Sequence, residues 1–449
     1  MSEVSFMLVL VAGIFLVGAL GEVVFARTRV PDVIWLIACG WVLGPVLGIL
    51  DNSVLLGIAP YFAAFALIVI LFNGGTSLKL DSVMRAAPRA LLLAIGGFVL
   101  AVGAVAAVSM AARAAGVLPP AWSWLHGVLL GSIVGGSSSI IIMPAMATAR
   151  IRDEVANLVN LESAFTDALC VVFATACMKM LLQRSELDSD AALELASSFG
   201  MAFGVGAIAG LLWMFLLHLL RDAEHAYPVT LAGLLLLYVG VESLGASAAM
   251  GILTFAVVVG NARLFSRRLG MVTDIDLGMG VRGFHGQMAF IVKSFFFVMI
   301  GAMLAPPWSE IALGIVLTAV LFAVRLPAVR LATLGARLSA GDRMLIDVSM
   351  PRGMAAGVLA TLPMASGVVA TSQLPVVVFT CIVATICVFA VGMPFAARHA
   401  ERERRDAASP AAVPGGEAAA VPDQVAEGSS ASTVSPSAMI APGSQNPTG

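Results

Sequence analysis

Two acids, Glu162 and Asp167, stand five residues apart in NLESAFTDAL (160–169), followed by the apolar run CVVFATACMKMLL (170–182). A carboxylate at the centre of a bilayer costs about 2.5–3.5 kcal/mol on insertion scales, so acids placed there mark a site that uses them. On a helix turning about 100° per residue, Asn160, Ser163 and Asp167 share a sector of about 60°. Glu162 and Thr166 form a neighbouring i,i+4 pair. The stripe offers one task per acid. One can be neutralised by a fixed cation, for which an always-charged Arg is suited. The partner must come from another span, and Arg325 in LFAVRLPAV, Arg352 in MPRG and Lys293 in FIVKSFFFV are the cations within other apolar stretches that could serve. The other acid is free to exchange its counterion. A desolvated carboxylate without a fixed partner holds a proton more readily than one in water, or a dehydrated alkali cation in its place, but not both. That competition, with access alternating between the two sides, suffices for cation/proton antiport.

The scaffold that positions these residues must lie in a membrane. The chain of 449 residues is 60% hydrophobic and 12% charged, with a mean hydropathy of +0.99, outside the range of soluble globular domains. Apolar runs of about 20 residues, the length that crosses the hydrocarbon core, recur along it. They predict an all-α polytopic membrane protein with thirteen spans, at 4–26, 30–50, 54–73, 88–112, 122–148, 155–182, 196–220, 227–242, 246–262, 286–304, 309–330, 344–366 and 375–397. The first lacks a basic flank and a clear cleavage site, so it is expected to be retained.

Basic residues orient the spans. With the N-terminus outside and the C-terminus cytoplasmic, nineteen Lys and Arg fall on inside segments and two, Arg113 and Arg184, outside. A bias of that size is what the positive-inside rule requires. Residues 1–400 form the transmembrane domain, and 406–449, rich in Ala, Pro, Ser and Gly without an aromatic residue, read as a disordered cytoplasmic tail. The five cysteines sit in apolar runs with no CxxC, the five histidines are scattered, and none of the three lysines follows a glycine. No resident metal, cofactor, disulfide framework or ATP-binding loop is therefore expected, and transport would run on an ion gradient.

Weak similarity recurs at an offset near 220: ILFNGGTSL (70–78) with VMIGAML (298–304), and GGSSSIIIMP (135–144) with MPRGMAAGVLATLP (350–363). The last two are spans interrupted by Gly or Pro, and corresponding elements run in opposite directions through the membrane. Inverted repeats with paired broken helices are a transporter architecture, with the site beside the breaks.

In order and spacing, residues 1–400 resemble the monovalent cation:proton antiporters, in their NhaP-like sodium/proton exchanger branch. VPDVIWLIACGWVLGP (30–45) is similar to that family's second span and LFNGG to its FEGG motif. GGSSS stands at its crossover, and LESAFTD is similar to its Glu-Ser-x-x-Asn-Asp helix. FFFVMIG, VRLPAV and PRG are similar to its tenth, eleventh and twelfth spans. The resemblance implies that Asp167 carries the ion or proton, that Ser163 coordinates the cation, and that Glu162 and Arg325 form a structural pair. It also implies a six-helix core beside a dimerisation domain, in a homodimer working by elevator-like motion. The chain departs from the family pattern at Thr166, Asn73 and Ser138. Neutral oxygens, with Ser137 beside them, thus stand where carboxylates could surround a cation. Lys293 and Arg352 are candidate modulators, Lys293 as an anchor.

The expected function is exchange of Na⁺ or K⁺ for H⁺ in the cell membrane, one for one and electroneutral. A potassium/proton-selective exchanger and a proton-coupled organic anion carrier are the alternatives. The carrier would have only Arg352 and Lys293 for a cationic pocket. A sensor lacks an attached signalling domain, an enzyme lacks a nucleophile–base pair, and no nucleic-acid partner is expected.

Overall fold

The computed structural model describes residues 3–28, 31–50, 52–77, 80–149, 151–183, 189–219, 226–268, 279–303, 308–336 and 338–408. Helices account for the regular structure among them, with no strand. They are α1 (Glu3–Thr28), α2 (Asp32–Trp41, continued by a π-turn over Val42–Val46), α3 (Asn52–Ser77), α4 (Leu80–Ala114), α5 (Trp124–Val134) and α6 (Ser139–Thr148). There follow α7 (Asp153–Gln183), α8 (Ser189–Leu219), α9 (Ala226–Ser243), α10 (Ala248–Gly260), α11 (Ala262–Arg268) and α12 (Met279–Met303). The last four are α13 (Trp308–Ala332), α14 (Ala340–Val348), α15 (Met354–Ala365) and α16 (Leu374–Ala408). The chain divides at Asp406, and every contact below lies within the unit Met1–Asp406. Residues 409–449, most of the segment expected to be a disordered tail, lie outside the described residues.

Seven helical stretches are long and apolar enough to cross a membrane, and six shorter apolar helices accompany them among the described residues. Large apolar side chains such as Leu212, Phe215 and Leu236 remain exposed. Exposed apolar side chains of this kind are expected where lipid replaces water as the outer solvent.

Glycine fixes the closest helix contacts. α2 lies along α12, and a Cβ on Gly40 would collide with the carbonyl of Val298, one on Gly301 with that of Ile37. A Cβ on Gly44 would stand 2.7 Å from Ala302 Cα. Small residues let two backbones touch, which is how helices associate where burial from water supplies no driving force.

Two spans are broken where the sequence has helix breakers. α5 stops at Val134, and Gly135, Gly136 and Ser137 precede Ser138, which is extended at φ −113°, ψ 107° and caps α6. α14 stops at Val348, and Pro351 with Gly353 (φ −121°, ψ −162°) lead into α15. Pro351 has no N–H and disfavours helix in the residue before it. Pro144 and Pro363, also within the two interrupted stretches, lie inside α6 and α15 and do not break them.

Candidate functional site

The two breaks cross. Ser138 N donates to Pro351 O at 2.9 Å, and Gly353 lies so close to Ser138 that a Cβ would strike the hydroxyl. Each extended segment thereby supplies a partner to the other, as irregular backbone at membrane depth requires. Arg352 runs along the same junction. Its N–H donates to Thr385 Oγ1 at 3.0 Å, and its Nη1 donates to the carbonyls of Gly136 and, at 3.4 Å, Gly135. Those carbonyls end α5, where free C=O groups and the helix dipole favour a cation.

α7 passes this crossing with its polar stripe turned inward. Glu162 is held by a two-pronged contact: Arg325 Nη1 to Oε1 and Nη2 to Oε2, both 2.8 Å, with Arg325 Nε donating to Ile346 O at 3.0 Å. Both carboxylate oxygens are thus occupied, and the planar fork suits Arg rather than Lys. Ser137 Oγ stands 2.7 Å from Ser163 Oγ and donates to Glu162 Oε1 at 3.4 Å. Ser137 N donates to Thr166 Oγ1 at 3.2 Å, and that hydroxyl donates onward to Ser163 O at 3.1 Å. Thr166 therefore staples α7 to the break before α6. A cavity of about 20 Å³ lies between Glu162, Thr166, Arg325, Arg352 and Gly135. It has room for about one water molecule.

Asp167 follows Ser163 by one turn of α7 and is half-buried. Its carboxylate has no hydrogen bond or ion pair with any other described residue. The neighbouring turn is fixed from behind, since a Cβ on Gly136 would stand 2.7 Å from Cys170 Sγ and 3.3 Å from the Thr166 carbonyl. Asp167 is thus an unpaired acid on a rigid support, next to a neighbour whose charge is already cancelled.

The side chains of the remaining singled-out residues make no hydrogen bond within this network. Asn73, near the end of α3, makes no side-chain hydrogen bond among the described residues, although α3 packs on both α7 and α15. Ser138 contributes its backbone to the crossing and no side-chain cap to α6. Lys293 pairs with Asp32 on α2 at 2.6 Å. Two contributors carried no signal in the sequence. Thr385 is one of two threonines in the apolar part of α16, and Ile346 acts through its carbonyl. Asp32, an acid opening a span, was a legible partner for Lys293 that spacing did not single out.

The family model for "Sodium/hydrogen exchanger, transmembrane" matches residues 11–395. The chain belongs to that family. This exchanger-family chain is 26% identical over 357 residues to the K⁺/H⁺ antiporter NhaP2 of Shewanella oneidensis, covering 76% of itself and 57% of that protein. It therefore spans little more than half the length of that relative. To Na⁺/H⁺ antiporter 1 of Methanocaldococcus jannaschii it is 24% identical over 352 residues, covering 76% of itself and 80% of the relative. Its fold matches the structure of the sodium proton antiporter MjNhaP1 from the same archaeon at pH 8, with a TM-score of 0.68 and 21% identity, over 88% of this chain and 98% of that one.

Proposed function

We propose that this chain is a secondary-active antiporter of the cell membrane that exchanges Na⁺ or K⁺ for H⁺ through Asp167. The observation that carries the proposal is the division of labour on α7. Glu162 is closed off by Arg325, whereas Asp167 has no partner among the described residues. A lone carboxylate with hydroxyls nearby can take a proton or a dehydrated cation, and each neutralises it alike. Exchange is accordingly one for one and electroneutral. Thirteen spans with the N-terminus outside, an inverted repeat over residues 1–400 and a homodimer complete the proposed architecture, supported by the nineteen-to-two distribution of basic residues.

Ser163 is the proposed hydroxyl ligand of the cation, with Ser137, Ser138, Thr166 and Asn73 as further neutral donors around it. Relatives named for K⁺ as well as Na⁺ leave both cations in play. The lack of a second free acid in this group favours the weaker field that suits the larger ion. Organic anions fit less well, because Lys293 is paired with Asp32 and Arg352 is directed at carbonyls.

The test is proton flux in proteoliposomes carrying a pH-sensitive dye, with Na⁺, K⁺ or Li⁺ added in turn. Asp167→Asn should reduce cation-driven flux to background while the protein stays folded. Flux like that of the unaltered protein would sink the mechanism.

A further inference from the structure

A second charged group lies at the far ends of the two half-helices that meet at the crossing. Asp342 opens α14 with a side chain 1% exposed. Its N–H donates to Ser339 Oγ at 3.0 Å and its Oδ2 accepts from Ser339 N at 3.3 Å, a reciprocal cap. The same carboxylate accepts from Arg152 Nη1 at 2.9 Å and from Arg404 Nη2 at 3.1 Å. Arg152 heads α7, its carbonyl receiving the N–H groups of Val155 and Ala156 at 3.0 Å. Arg404 belongs to the last turns of α16, where Glu403 Oε2 also accepts from Gly341 N at 2.8 Å. The backbone of α16 at Ala400 lies so close to Gly341 that no Cβ would fit between them.

These contacts close a frame. α6 leads away from Ser138 to the turn carrying Arg152, and α14 leads from Asp342 back to Pro351. At about 1.5 Å per residue, the ten residues of α6 and the nine of α14 measure about 15 Å and about 14 Å. Their inner ends are joined by Ser138 N–H to Pro351 O, and their outer ends by Arg152 to Asp342. α16 ties both corners, through Thr385 at the inner one and Arg404 at the outer. Two rods pinned at both ends cannot slide past one another, so the outer pin controls the inner register.

We infer that Asp342 is a positioning residue for transport, the outer pin of a frame of α6, α14 and α16 that holds the crossing beside Asp167 in register. The inference rests on the proposed exchange activity for its functional arm only. Asp342 does not act as a pH sensor. Burial pushes its carboxyl up, but the Ser339 N–H and the Arg404 and Arg152 guanidiniums outweigh this and hold it below the ordinary carboxylate range. A depressed carboxylate contributes stability above its unfolded value of about 3.9 and loses it as pH falls through the lower folded value, so near neutrality its charge is constant.

Asp342→Asn keeps the size of the side chain and removes the charge that attracts both guanidiniums. In the full-length protein, amide hydrogen exchange at Ser138, Ile141 and Ile142 should accelerate about tenfold, although the substitution is a half-helix away. In proteoliposomes the maximal rate of Na⁺-driven proton flux should fall about fivefold, with apparent Na⁺ affinity within about twofold and an unshifted pH midpoint. Arg405→Gln, which removes an exposed pair with Glu401 at the same helix end, should change neither readout. Loosening confined to residues 339–345, or a shifted pH midpoint, overturns the inference. If the unaltered protein moves no protons on addition of Na⁺ or K⁺, the exchange reading fails, and the amide measurement still decides whether the frame exists.

Discussion

Two acid–base pairs inside this molecule are built on opposite principles. Glu162 and Arg325 meet through two 2.8 Å contacts with side chains 4% and 8% exposed, at a point where the neighbouring backbone is broken. Lys293 and Asp32 meet at 2.6 Å with side chains 12% and 16% exposed, on two regular helices whose backbones are already in glycine contact. At the α2–α12 seam the register is set by sterics, and the charges follow. At the crossing no helical ladder sets the register, and the Ser138–Pro351 backbone bond is reinforced by side-chain hydrogen bonds and charge. The Lys293 ammonium also lies 5.4 Å from the Phe290 ring centroid, and Asp32 sits in the first turn of α2, so each has support besides the other.

The comparison can be broken most forcefully at Arg325. Arg325→Ala leaves Glu162 buried and uncompensated, which typically costs about 3–5 kcal/mol. Combined with Glu162→Gln, part of that loss should return, and thermal unfolding of the two single variants and the double variant measures the coupling. Strict additivity would mean that the pair does not act as a unit. At the seam, Gly40→Val inserts a branched side chain against the Val298 backbone, and overpacking of this kind costs about 1–3 kcal/mol. If Gly40→Val melts with the unaltered protein, steric register is not what joins α2 to α12.

Smaller effects sharpen the contrast. Lys293→Met should cost only about 1 kcal/mol, because Asp32 keeps the N-terminal dipole of α2. A loss as large as that of Arg325→Ala would place both pairs in one class. The smallest expected effect is none. With Glu162 paired to Arg325, the exchange proposed through Asp167 uses a single carboxylate. Membrane voltage, worth about 2.3 kcal/mol per elementary charge per 100 mV, then has no net charge movement to act on. The end point of Na⁺-driven exchange should stay fixed when voltage is clamped with a K⁺ ionophore, and a displaced end point would implicate a second proton carrier.

Much of the scaffold was legible because the bilayer imposes it. Apolar runs separated by basic loops mark helices, and Gly-Gly-Ser-Ser or Pro-x-Gly inside such runs marks a break. Helical periodicity alone also puts Glu162, Ser163 and Asp167 on adjoining lines of α7. Periodicity is silent about partners on other helices. Arg325, Arg352 and Lys293 were equal candidates on spacing alone, and the family resemblance rather than spacing singled out Arg325. The three cations go to three destinations: a carboxylate on α7, the carbonyls ending α5, and a carboxylate on α2.

The amino-acid sequence by itself determined the all-helical membrane character, the places where two spans must break and the pair of acids on α7, since each depends on local composition and period. Only the tertiary structure decided that the breaks touch, that Thr166 staples α7 to one of them and that Asp342 gathers Arg152 and Arg404. The physical reason is sequence separation. The Ser138–Pro351 and Arg152–Asp342 contacts join segments about two hundred residues apart, and short polar groups at that distance carry no periodic signal of each other until packing brings them together.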